Sequence, residues 1–101
     1  MKKIENKEIE LEFEKGKKIG FADLATICLN QIPEGGIPPL EMAKRVKVLD
    51  KFNLVVLGAK INLEDAEFEI LKQCSDTTRW RLIHKDIVAF SNHLEEVKTK
   101  E

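Results

Sequence analysis

The sequence predicts an α+β fold: a small antiparallel sheet packed by about four helices. Three observations predict it. Residues 8–13 alternate strictly between acidic and apolar, which is the period of a half-buried strand. Four other stretches carry apolar residues at helical spacing. A second short strand-like segment, Lys60-Ile61-Asn62-Leu63, has the same alternation.

Each element can be justified in chain order. Ile4 precedes a possible turn at Asn6-Lys7, so the first residues could form an N-terminal hairpin or meander. In Glu8-Ile9-Glu10-Leu11-Glu12-Phe13, the apolar side chains face one way and the three glutamates the other. A row of glutamates suits an exposed sheet face or a protected edge. Glu14-Lys15-Gly16-Lys17 reads as a turn. Phe21, Leu24, Ile27, Cys28 and Leu29 or Ile32 then form the stripe of a helix over 21–32, with Pro33 as its stop. The run Pro33-Glu34-Gly35-Gly36-Ile37-Pro38 is the clearest loop in the chain.

Pro38 or Pro39 suits the first turn of the next helix. Its apolar side is marked by Met42, Val46, Leu49 and Val56, with Lys44, Lys47 and Lys51 on the other. A span of 39–57, closed by Gly58 as C-terminal cap, is the favoured reading. The alternative is that Leu54-Val55-Val56-Leu57 is a buried strand, because a short β-branched run is ambiguous by periodicity alone. Ile61 and Leu63 are expected to join the face presented by Ile9, Leu11 and Phe13. Asn62, with Asp65 three residues on, is placed to cap a helix over 63–75. The acidic Glu64, Asp65 and Glu67 in its first turn suit the helix dipole. Ser75 to Thr78 reads as a turn. Arg79-Trp80-Arg81-Leu82-Ile83 leads into a last helix over 84–97, whose Ile87, Phe90, Leu94 and Val97 share one face. The expectation is a single domain over 1–97 and a frayed charged tail at 98–101.

Composition narrows the functional classes. The chain has 101 residues, enough for one core but with little room for a deep cleft. Apolar residues make up 43% and charged residues 35%, which argues against a disordered chain. With 17 Lys+Arg against 18 Asp+Glu, net charge is −1, so no global field steers the chain to nucleic acid or to an anionic membrane. Met1-Lys2-Lys3 is followed by charge rather than by the apolar core of a signal peptide, and no apolar run reaches the length of a membrane span. Residence in the cytoplasm, the interior of a host cell, is the expectation, with association with a virion as a variant of it.

No catalytic, cofactor-binding or metal-binding residue is expected. Cys28 and Cys74 sit among apolar residues and read as two reduced, buried thiols. Cys74, His84 and His93 are separated by nine and eight intervening residues, so no pair presents two metal ligands from one turn. Ser75 and Ser91 have no evident local base, and Gly35-Gly36 is not followed by the Lys-Ser/Thr of a phosphate loop. What remains are surfaces. Lys44, Arg45, Lys47 and Lys51 form a basic helix flank. Arg79, Trp80, Arg81 and Lys85 form a second basic cluster around an aromatic. Together they could serve nucleic acid or a partner protein, against the plainer reading of a solvated face and a core tryptophan. The edge at 8–13 and the Leu54–Leu57 run could serve protein contacts.

One ordered set of motifs carries a resemblance. Gly35-Gly36-Ile37-Pro38-Pro39 leads into Leu40-Glu41-Met42-Ala43-Lys44-Arg45-Val46-Lys47-Val48-Leu49-Asp50. Ile61-Asn62-Leu63-Glu64-Asp65-Ala66-Glu67-Phe68 follows, and then Arg79-Trp80. This resembles a group of small proteins of tailed bacteriophages and prophages. Their Pro/Gly loop precedes a Glu-Met-x-x-Arg-x-x-Val-Leu-Asp-like helix, a Leu-Glu-Asp-Ala element, and a tryptophan before the last helix. The likeness covers roughly residues 20 to 95. It implies a phage or prophage origin, a helical 40–57, and a non-enzymatic role through protein–protein contacts, with virion assembly as one setting. It carries over no catalytic residue. The expected partner is a phage or host protein, or a second copy of the chain. Nucleic acid fits less well, and neither membrane nor metal is expected.

Overall fold

The computed structural model describes residues 2–11, 15–53 and 55–99. In chain order these form β1 (Lys2–Glu5), β2 (Glu8–Ile9), β3 (Ile19–Gly20), α1 (Phe21–Leu29), α2 (Pro39–Phe52), β4 (Lys60–Leu63), α3 (Asp65–Thr77) and α4 (Lys85–Thr99). The fold is α+β, as the periodicities predict. No helix among the described residues is long and apolar enough to cross a membrane.

The strand pairing differs from expectation. β4 pairs antiparallel with β1, not with 8–13, and places Ile4 opposite Ile61 and Lys2 opposite Leu63. β2 pairs instead with β3, Ile9 opposite Ile19. Two local features explain this. The Asn6 N–H donates to the Ala59 carbonyl and the Gly58 N–H to the Asn6 carbonyl, each at 2.8 Å, so Asn6 extends the β1–β4 ladder. Beyond Ile9, the N–H groups of Glu10 and Leu11 both donate to Asp86 Oδ2, at 2.8 and 3.0 Å. A carboxylate from the first turn of α4 thus takes the donors that a partner strand would have used. The alternation still holds where it is described: Ile9 and Leu11 are buried, Glu8 and Glu10 exposed. Residues 12 and 13, the end of the predicted strand, and residue 14, the start of the predicted turn, lie outside the described residues.

The helix ends also move. α1 stops at Leu29, three residues short of the expected Ile32, with the Asn30 N–H closing on Thr26 and Ile27. α2 starts with Pro39 in its first turn, as predicted, but stops at Phe52. Val55 and Val56 are neither helix nor strand. Their carbonyls accept the Asn6 side-chain amide at 3.2 and 3.1 Å, which draws this stretch out of the helix; Leu54 lies outside the described residues. α3 is capped by Glu64 rather than Asn62, and the Glu67 carboxylate accepts the Glu64 N–H at 2.9 Å in a capping box. α4 keeps Lys98 and Thr99 of the expected tail in its last turn.

The core lies where the helices meet the β1–β4 face. Phe68, Phe90, Ile4, Leu24, Leu63 and Leu71 are its largest fully buried side chains. Phe21 and Phe90 pack edge to face with centroids 5.5 Å apart. One buried lysine, Lys72, joins α3 to α4 by pairing with Asp76 at 2.6 Å and Glu95 at 2.7 Å.

Candidate functional site

The basic residues singled out in the sequence divide among separate surfaces. On α2, Lys44, Lys47 and Lys51 line a groove of about 880 Å³ whose other wall is the acidic first turns of α3, with Glu64, Glu67 and Glu69. Lys51 Nζ lies 2.6 Å from Glu67 Oε1 across it. The Glu67 carboxyl is pushed up by burial, but hydrogen bonds from Lys51 and the Glu64 N–H outweigh this and hold it below its usual value. The groove walls therefore neutralise each other in part.

Arg45 turns to a different side of α2. Its Nη1 donates to the carbonyls of Gln31 at 2.6 Å and Leu29 at 3.4 Å, fastening the end of α1 and the following loop to α2. There it meets Arg79. The two arginines line one cavity of about 470 Å³ at the junction of α1, α2 and α3, together with Cys28, Cys74, Ile32 and Thr77. Trp80 packs, partly buried, against the core beside a shallower depression of about 320 Å³ shared with Ile87 and Phe90. Arg81 is exposed. Lys85 Nζ is 2.8 Å from Glu10 Oε2, and that pairing raises the pKa of its ammonium. The eight residues thus do not share one face: Arg45 and Arg79 come together, while the three lysines of α2 line another groove.

The thiols behave as buried apolar groups. Cys28 and Cys74 are free and buried. Burial pushes up the Cys28 thiol, against hydrogen bonds from Thr78 and Ser75 and with a contribution from Cys74 in the same direction. Burial also pushes up Cys74, opposed by the Arg45 guanidinium and assisted by Glu41. Thiols held protonated are poor nucleophiles. Among the described residues, no group of three or more His, Cys, Asp or Glu could hold a metal ion.

Of the two protein-contact surfaces expected, the 8–13 edge is engaged by β3 and Asp86 where it is described, while Val56 and Leu57 are exposed. The structure adds a surface that the helical stripes passed over. Ile83 is fully exposed, Val88 is 58% exposed and Leu82 40%. These residues lie in and just after the α3–α4 connection, among Arg79, Arg81 and Lys85. The sequence signal was present: Leu82-Ile83 and Val88 fall outside the stripe that buries Phe90, Leu94 and Val97. A second exposed apolar group, Leu40, Met42 and Val46, lies on α2.

Comparison of the chain with protein-family models, with curated proteins and with solved structures finds no match.

Proposed function

We propose that this is a non-enzymatic phage or prophage protein that works by binding another protein, in the setting of virion assembly, and that the α3–α4 connection is its contact surface. The observation that carries the reading is Ile83, an isoleucine wholly in water beside two further exposed apolar side chains. Grouped exposed apolar residues with a polar rim mark partner surfaces, and arginines and a tryptophan beside them are residue types favoured at interface hot spots. The ordered motif string from Gly35 to Trp80 supports the phage setting. The raised thiol pKa values of Cys28 and Cys74 count against cysteine chemistry.

The nucleic-acid reading has less behind it. Lys51 and Lys85 are ion-paired and Arg45 is held by main-chain carbonyls, so three of the seven positive charges invoked are already engaged in part.

The test places a photo-activated cross-linking residue at position 83 in cells producing the phage or prophage. A cross-link to one virion or host protein, lost in Leu82→Ser, is the expected result. Surface changes of this kind shift stability by no more than about 0.5 kcal/mol, so loss of the cross-link would report binding. If position 83 cross-links to nothing while a salt-dependent DNA shift is abolished by Arg79→Ala and Arg81→Ala, the protein-partner reading falls and the nucleic-acid one replaces it.

A further inference from the structure

The cavity between Arg45 and Arg79 has an electrostatic composition that the interaction surface at Ile83 does not account for. Arg45 is 12% exposed at its side chain, so its guanidinium is largely removed from water. Nη1 is used by Gln31 and Leu29. The opposite edge, Nε with Nη2, is the one that grips a carboxylate through two parallel hydrogen bonds. On that edge Nε is buried with no hydrogen-bond partner, and Nη2 has only Glu41 Oε1 at 4.0 Å, beyond hydrogen-bond length. Nε has almost no surface open to water, so an acceptor arriving from the cavity meets this edge at Nη2 rather than at Nε.

The cavity beside Arg45 supplies the space. Its charged lining is Arg45, Arg79 and Glu34, a net excess of one positive charge. No ion pair engages Arg79 among the described residues. Ile32, Pro33, Cys28 and Cys74 form the apolar part of the remaining wall and Gln31 and Thr77 its polar part, so the lining is mixed. At about 470 Å³ the cavity lies within the size range of small-molecule sites.

We propose that this cavity is a binding site for a small organic carboxylate, its anionic end between Arg45 and Arg79 and its apolar body against Ile32 and the two thiols. The site shares Arg79 with the rim of the partner surface, but the cross-link at position 83 reads the one and the titration below reads the other, so either can fail alone.

The test is a titration of the isotope-labelled full chain with hexanoate and, separately, with hexanamide, followed by the backbone amide signals of Ile32, Thr77 and Arg79. Hexanoate is expected to move these signals saturably below about 10 mM, a weak affinity suited to a fragment-sized probe. Hexanamide, which has the same shape without the charge, is expected to leave them in place. Arg79→Gln, an exposed position whose replacement keeps the fold, is expected to weaken hexanoate by about tenfold. Absence of saturable shifts in the wild-type chain overturns the proposal. So does equal binding of the amide, or an affinity unchanged by Arg79→Gln. If hexanoate binds only after Glu41→Gln, the missing acceptor is Glu41 itself swinging onto Arg45, and the site is not one for a ligand.

Discussion

Asn6 and Arg45 are both polar side chains taken largely out of water to join segments distant in sequence, and they are finished to different degrees. Asn6 is 2% exposed, and its amide donates to the Val55 and Val56 carbonyls while its Oδ1 accepts the Ala22 N–H at 2.8 Å. Its main chain adds two further bonds, to Ala59 and Gly58. It thereby acts as a remote N-cap for α1, whose own cap residue, Gly20, has no side chain to offer. Arg45 uses one edge of its guanidinium for main-chain carbonyls and leaves Nε without a partner. A satisfied buried network specifies structure, whereas an open one is a candidate for binding. The contrast separates the two regions by role: the Asn6 node holds the fold together, and the Arg45 cavity is available for something else.

The comparison is broken most severely at the Asn6 node. Asn6→Ala is expected to lower unfolding free energy by about 3 kcal/mol, because the Ala22 N–H and the Val55 carbonyl would lose partners in a site with little water. Denaturant unfolding measures it. Gly20→Ala should cost a similar amount by another route. Its new Cβ would collide with Asn6 Oδ1, and would come within 2.7 Å of Leu57 Cδ2 and 2.9 Å of the Lys7 carbonyl. A stable Asn6→Ala protein would show that the node is not the anchor described here.

The next effect is at Asp86, which binds the N–H groups of Glu10 and Leu11. Charge-assisted hydrogen bonds contribute roughly 1.5–3 kcal/mol, and partial exposure places Asp86→Ala near about 1.5 kcal/mol. Amide exchange should speed up at Glu10 and Leu11 while β1 and β4 stay protected. That result would separate the β1–β4 ladder from the segment that the sequence had joined to it.

A smaller effect appears on acidification. Glu67 has its pKa lowered in the folded chain by Lys51 and by the Glu64 N–H, against the raising effect of burial. Its contribution is therefore fully present above the unfolded value of 4.5 and is lost as pH falls through the lower folded value. Replacing Lys51 by Met should remove part of this acid-side slope. The loss should be at most about 1 kcal/mol, because Lys51 is partly exposed and its attraction is screened. An unchanged slope would show that the capping hydrogen bond, not the ion pair, holds the carboxyl down.

Much of this frame was legible in the sequence, and the illegible parts share a cause. The four helices, Pro39 at a helix start, and the alternation of Lys60–Leu63 follow from local spacing and turn chemistry. The pairing of β4 with β1 is extended by main-chain bonds of Asn6, and the end of α2 at Phe52 and the fate of Glu10 and Leu11 each depend on one polar side chain acting over a long stretch of chain. Asn6 reaches Val56 across 50 positions, and Asp86 reaches Glu10 across 76. Periodicity carries no information about such contacts. The meeting of Arg45 with Arg79 was hidden for the same reason: each belongs to a basic run whose other members face elsewhere. Ile83 was different. Its position outside the buried stripe of α4 was readable, but exposure could be assigned only once the turn before α4 was placed.

The smallest expected effect is the one that sharpens the comparison most. Arg45→Met keeps the length and apolar stem of the side chain while removing a guanidinium whose Nε is buried and unpaired. The substitution loses the bond to the Gln31 carbonyl, where Gln31 is exposed and water can take that place, and the long 3.4 Å bond to the Leu29 carbonyl. It also relieves the cost of holding a charge out of water with an edge unmet, a replacement that in buried sites is often neutral or stabilising. A change within about 0.5 kcal/mol is therefore expected, against about 3 kcal/mol for Asn6→Ala. If Arg45→Met proves as costly as Asn6→Ala, both side chains are structural anchors and the cavity loses its claim to be held open for a ligand. If it is neutral while Asn6→Ala unfolds the chain, Arg45 is maintained in a strained arrangement that stability alone does not reward.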